Sequence, residues 1–400
     1  MIPMLRVSPV CGVAALALGL AACKFPELAP IDEMDAGGDA GEGGIDADPD
    51  AMPCEGDRYG FAISNVAHCD VPAATAALDL TNVAAIDTFA GTMTSVGGST
   101  APLPGTALVP QTDGNMIRVV SATSLIVPAA ASITLRGENP IAFLVRGDAV
   151  VAGTFRLTGD LLQASGPAGT RGTCAGGGSG TAGTGAGLGG GGGGGALGSA
   201  GGSGGYGSND VTNAGQPGTP LAVVSRSPLA GGCAGSPGNA GVTPGAGGGA
   251  IQITAMGSVV IDGTVTAGGG GANGGGNTAG GGGGGSGGMV LLEAGTEIRG
   301  TGFLTANGGS GGGGGGAGGN ASGGVSGCAQ CATPTVGGNS SGAGSGYGGN
   351  GAAGGTGAMA GSNATYAGGG GGGGAGIIWL RSASVNFGGL VSPTARTSTL

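Results

Sequence analysis

Apolar residues in this chain recur in short alternating runs. In GGGAIQITAMGSVVIDGTVTAGGGG, residues 247 to 271, Ile251 and Ile253 share a side, as do Val259 and Ile261, and Val265 follows a break at Gly263. Such period-two alternation of β-branched residues predicts strands with one side toward a core. Similar units read PIAFLVRGDAVVAGTFRLTG at 140 to 159, GMVLLEAGTEIRGTGFLTANG at 288 to 308 and GIIWLRSASVNFGGLVSPTA at 376 to 395, with a looser version at 124 to 140. Aligned on a glycine, the matches are Val151-Ala152-Gly153-Thr154, Ile261-Asp262-Gly263-Thr264, Ile298-Arg299-Gly300-Thr301 and, shifted by one, Val385-Asn386-Phe387-Gly388. The repeat unit is about 20 residues long.

A lone hairpin is marginal in water, so units this far apart in sequence must stack to bury their apolar sides. If each run pairs in parallel with its counterparts above and below, like residues form interior ladders. The expected fold is therefore all-β: a right-handed parallel β-helix spanning 116–400. Residues 58–115 show β-like runs without the unit pattern and are expected to cap its N-terminal end. Trp379 is expected to pack in a core or cap.

Glycine changes how the intervening segments are read. Residues 166 to 376 hold 87 of the 107 glycines, concentrated in tracts 166–248, 268–287 and 309–375. If the units stack, each tract leaves and returns near one corner, as a lobe inserted at one side. Ordering a glycine costs roughly 0.5–1 kcal/mol more than ordering alanine. Two states fit the tracts: a sheaf of polyproline-II-like segments joined by backbone hydrogen bonds, or solvated loops. Disorder of the whole chain is excluded by its 39% hydrophobic content and 8% charge.

Charge is concentrated at the start. Of 22 acidic residues, 11 lie between Glu27 and Asp57 in a stretch rich in Asp, Gly, Ala and Pro. Residues 23–57 are expected to form an extended acidic tether. Its Asp46, Asp48 and Asp50 lack the glycine and glutamate of a calcium loop, so no metal is assigned. Between 161 and 376 the charged residues are Arg171, Asp210, Arg226, Asp262, Glu293, Glu297 and Arg299. Without a basic patch, nucleic acid is excluded as a partner.

Residues 1–22 combine one arginine, a short apolar stretch and small residues, the pattern of a secretory signal. Leu20-Ala21-Ala22-Cys23 resembles the lipobox of bacterial lipoproteins, which implies cleavage before Cys23 and lipid on its thiol. Lys24 differs from the aspartate that retains many such proteins at the inner membrane, favouring the outer membrane or cell surface. The membrane would then be one partner, reached through the lipid.

Export suggests that the remaining six cysteines pair as disulfides. Sequence neighbours would join Cys54 with Cys69, Cys174 with Cys233 and Cys328 with Cys331, among 15 possible pairings. The CAQC spacing also suits redox chemistry or half a zinc site, but it lacks a βαβ setting and a second ligand pair.

No residue pattern points to catalysis, and no catalytic residue or cofactor is assigned. Asp148, Asp160 and Asp262 stand alone, and the single histidine, His68, has no nucleophile context. GxGxxG matches arise by chance in polyglycine, and GGYGSND at 204 to 210 is a single imperfect copy of a calcium-binding repeat.

With its acidic tether and units such as AIQITAMGSVVIDGTVTAGG between glycine blocks, the chain resembles the glycine-rich, lipid-anchored surface proteins of myxobacteria and related bacteria. The resemblance implies a non-enzymatic envelope protein and transfers no site residues. The leading functional expectation is a structural or adhesive protein contacting glycans, matrix or other cells. Alternatives are a divergent carbohydrate-binding or carbohydrate-active β-helix, and ice or mineral binding by glycine-rich faces.

Overall fold

A computed structural model describes residues 54–159, 169, 180–185, 188–221 and 225–400. Its regular structure is almost entirely β, with four short 3-10 helices among the described residues. The repeat units do pair with one another in parallel. Ala250–Ala255 lies between Ile141–Val145 and Met289–Gly300, with Ile251 level with Ile141 and Val290, and Ile253 level with Phe143 and Leu292. Thr264–Thr266 lies between Thr154–Arg156 and Phe303–Thr305, so that Ile133, Phe155, Val265, Leu304 and Val391 form one column. These columns make the main core, where the Phe143 and Phe155 rings stack with centroids 5.4 Å apart.

The expected right-handed parallel β-helix is not what these pairings build. The strands form two mixed sheets of 11 and eight strands. Two causes are visible. Met289–Gly300 and Ile377–Phe387 each run on through both halves of their unit, pairing on either side of a register shift between Ala294 and Glu297 and fusing what would be separate faces into one sheet. At the N-terminal end, Val83–Asp87 pairs in parallel with Ser132–Arg136, but tight turns then add Thr92–Ser95 and Thr100–Pro102 antiparallel beyond it, and Thr106–Pro110 pairs antiparallel with Met116–Ala122. Residues 58–115 thus extend both sheets.

The repeat alignment also shifts. Thr154, Thr264, Phe303 and Leu390 occupy one level, so the equivalent glycines are Gly153, Gly263, Gly302 and Gly389 rather than Gly300 and Gly388. A side chain on Gly263, Gly302 or Gly389 would overlap the carbonyl of the preceding glycine in this column. The third unit differs from the sequence alignment by two residues, a slip that leaves strand alternation unchanged and hence hidden in the pattern.

Where described, the glycine tracts do not stand as separate lobes. They pack together as a largely buried bundle of extended segments in which each residue donates to a different neighbour and the neighbour recurs every third residue. Gly281, Gly284 and Gly287 donate to Gly368, Gly371 and Gly374; Gly282, Gly285 and Gly288 donate to Asn273, Gly270 and Ala267; Gly283 and Ser286 donate to Ser236 and Cys233. Carbonyls of the same segment accept from Gly192 and Gly195, from Gly309 and Gly312, and from Gly245 and Gly248. Three donor rows and three acceptor rows surround one segment on all sides, matching the three-residue turn of a polyproline II helix.

The longest glycine runs coincide with segments bonded this way: 189–195, 280–285, 311–316 and 368–374. A methyl group on Gly283 would overlap the Gly193 carbonyl, and one on Gly371 the Gly202 carbonyl. In one peripheral segment glycine recurs at the positions that face inward. Gly232, Gly235 and Gly238 point at the backbone of 280–287, with other residues between them. One backbone hydrogen bond per residue, worth about 0.5–1.5 kcal/mol net, offsets the roughly 0.5–1 kcal/mol cost of fixing each glycine.

Gly371→Ala is expected to destabilise the fold by about 1–3 kcal/mol, as overpacking does. Gly357→Ala, where an added methyl meets nothing within 4 Å, is expected to leave the midpoint unchanged in thermal melts of the two variants.

Candidate functional site

The fold puts two groups of residues in unlike settings, a polar one buried between the larger sheet and the N-terminal segment and a largely apolar one exposed on the glycine bundle. All of Ala250–Ala255 is buried, because the side facing away from the main core is covered by the N-terminal segment Tyr59–Val71, with Leu197 and Leu229. On that covered side, strand pairing aligns Leu144, Thr254, Glu293 and Arg381.

Glu293 has no solvent exposure, and its carboxylate is saturated. Oε1 accepts from Ser64 Oγ at 2.7 Å and Arg381 Nη1 at 2.8 Å. Oε2 accepts from Thr254 Oγ1 at 2.9 Å, Gln252 Nε2 at 3.0 Å and the Ser64 amide at 3.2 Å. Arg381 also donates to the Ala62 carbonyl, at 2.6 Å, and its guanidinium lies 5.9 Å from the Phe61 ring centre. Asn65 and Gln252 complete the cluster through a 3.0 Å amide contact. With each carboxylate oxygen fully bonded and no solvent exposure, this arrangement suits a clamp better than an acid or base. It fastens the N-terminal segment to three successive repeat units.

The same segment is held at its start by a Cys54–Cys69 disulfide and by an ion pair of Glu55 with Arg146. Burial opposes ionisation of Glu55, but hydrogen bonding and charge from Arg146 outweigh it and hold the carboxyl below its usual range. His68 Nδ1 lies 3.1 Å from Asp57 Oδ1 at the surface.

Among the other sequence candidates, Cys328 is joined to Cys331, and Asn307 donates to both of their carbonyls. Cys233 is disulfide-bonded, whereas Cys174, Cys23 and Asp160 lie outside the described residues. Asp148 and Asp262 are not brought together: each accepts a backbone amide from the next unit, of Ser258 at 2.7 Å and of Thr301 at 3.1 Å. They tie corners between units. Trp379 packs beside the second core cluster with Arg396 5.8 Å from its ring centre. No cluster of three metal-ligating side chains occurs among the described residues, and no helix among them is long and apolar enough to cross a membrane.

The exposed group lies on the outer layer of the bundle. Ser322 donates to Asn339, Gly348 to Gly338, Ser362 to Tyr347 and Ala364 to Tyr206, so five segments follow one another across this surface. Val325 and Val336 are neighbours, since their carbonyls both accept from Ser310. Met359 and Asn350 are joined in the same way, amide to carbonyl. Val325, Val336, Tyr347 and Met359 are exposed by 58%, 69%, 57% and 53%. From Thr301 to Leu380 the chain contains no Asp, Glu, Lys or Arg. An uncharged surface with exposed valines, methionine and tyrosines is thus backed by a bundle of backbone hydrogen bonds.

No known protein family, curated protein or solved structure matches the chain.

Two outcomes follow from the clamp. Arg381→Met, which strands the Glu293 carboxylate in the interior, is expected to cost about 3–5 kcal/mol in denaturant unfolding. Because the folded Glu55 carboxyl is held below its unfolded value of about 4.3, its stabilisation is complete above that pH and is lost as pH falls through the folded value. Melting midpoints of the wild type and Glu55→Gln should therefore differ at pH 7 and converge in stronger acid.

Proposed function

We propose that this protein is a non-catalytic, lipid-anchored structural or adhesive component of a bacterial envelope, related to the glycine-rich surface lipoproteins it resembles. The observation that carries the reading is the outer layer of the glycine bundle, which bears no charge between Thr301 and Leu380. Exposed apolar side chains cost solubility unless they serve contact, and monomeric proteins seldom gather them on one surface. Here Val325, Val336, Tyr347 and Met359 share an outer layer whose backbone is fixed from beneath. Such a surface gives up little conformational freedom on contact, and this favours adhesion.

Anchoring is supported by Leu20-Ala21-Ala22-Cys23 and by the acidic stretch that follows, which would hold the folded part away from a membrane carrying its own negative charge. The clamp around Glu293 supports a role that resists mechanical pull. The segment through which a tether at residues 23–57 would pull is fixed by a disulfide, an ion pair and the buried cluster.

Cys23→Ala is expected to move the protein from the membrane fraction to the soluble exported fraction, measured by fractionation and immunoblotting. Unchanged membrane retention would contradict lipid anchoring. Coating inert beads with the full chain is expected to make them adhere to bacterial cells or matrix, and a Val325→Asp/Val336→Asp variant should reduce that adhesion.

A further inference from the structure

We infer that Tyr206, Tyr347 and Tyr366, arranged about the surface segment 359–366, form a binding site for a neutral polysaccharide. The inference rests on the adhesive reading above and names its partner. In this segment Gly361 is buried, whereas Met359, Ser362, Asn363, Thr365 and Tyr366 are exposed. Tyr347 borders it on one side, its carbonyl accepting from Ser362 at 2.8 Å. Tyr206 borders it on the other, its carbonyl accepting from Ala364 at 2.9 Å. The two tyrosines are therefore offset by two residues along the middle segment, about 6 Å at the polyproline II rise of 3.1 Å per residue.

Tyr366 provides the third ring. It lies against Gly344, which has a φ of +81° and whose position leaves no space for a side chain beneath the ring. Between the rings are polar groups of fixed direction. Asn363 Oδ1 accepts from the Tyr206 amide at 3.1 Å, leaving its NH2 group to donate elsewhere. Thr365 Oγ1 donates to the Gly344 carbonyl at 3.4 Å, and the Ser362 side chain is exposed.

This combination matches the chemistry of a pyranose chain. A sugar ring offers a flat C–H face to an aromatic ring and a rim of hydroxyls to amide and hydroxyl groups. Tyrosine supplies both an apolar face and a polar edge at low entropic cost. Charge selects among polymers, because the one charged group on the Tyr206 segment is the exposed carboxylate of Asp210, two residues from Ser208, whose amide donates to the Tyr366 carbonyl. A uronate, sulfate or phosphate polymer would meet no cation between Thr301 and Leu380, and a purely apolar surface would leave Ser362, Asn363 and Thr365 without partners.

The test uses the full chain in sedimentation assays with insoluble cellulose and chitin, and with calcium alginate beads as the anionic control. Wild type should sediment with at least one neutral polymer and not with alginate. Tyr206→Ala/Tyr347→Ala/Tyr366→Ala should weaken binding about tenfold or more, with the thermal midpoint unchanged. The corresponding triple Trp variant should bind at least as well as wild type. The single variant Tyr347→Ala provides a milder change at a half-exposed ring, and a measurable loss is expected there too. Failure to bind either neutral polymer, preferential binding to alginate, or retention unchanged in the triple Ala variant would overturn the inference. Bead adhesion to cells that persists without polysaccharide binding would remove this partner and leave the adhesive reading standing, whereas loss of both would overturn both.

Discussion

Hydrogen bonding between bare backbones is the constraint on which the structure depends. Segments can surround one another on every side only if no side chain intervenes, and residues 280–285 and 368–374 meet that condition with glycine alone. Each such residue is costly to order and supplies no apolar surface. Its compensation is a donor and an acceptor both satisfied inside the bundle. The arrangement is cooperative for the same reason, since one added methyl group displaces a carbonyl that other segments use.

The two β-sheets provide what the bundle lacks. Columns such as Ile141, Ile251, Val290 and Ile378 bury branched side chains in the main core. They also fix where each glycine segment begins and ends. The segment at 280–288 runs directly into Met289–Gly300, and the one at 368–374 leads through Ala375 and Gly376 into Ile377–Phe387. Strand register therefore sets the register of the bundle, and the ladder from Gly153 to Gly389 carries close backbone packing into the sheets themselves.

Much of this was legible in the chain, and the gaps have physical causes. Alternation at Ile251, Ile253, Val259 and Ile261 located the strands and the parallel partnership of the units. It did not reveal how sheets close, because closure depends on long strands and antiparallel hairpins that period-two patterning does not encode. The bundle left a signal that alternation overlooks: unbroken glycine where a segment is surrounded, and glycine at every third position, as at Gly232, Gly235 and Gly238, where it is peripheral. The Glu293 clamp was also visible in principle, as opposite charges at equivalent places in MVLLEAG and IIWLRS. It was hidden by the assumption that one side of each strand meets water. The tyrosine surface could not be read from sequence, since Tyr206 and Tyr347 are neighbours only through the packing of residues 359–366 between them.

Amide hydrogen exchange, followed in the full chain with glycine-selective isotope labelling, tests the ordered bundle most directly. The account predicts that glycine amides within 281–288, 309–314 and 368–374 exchange as slowly as those of the buried strand Ala250–Ala255. Exchange of these glycines at the rate of an unstructured peptide, with the strand still protected, would contradict it.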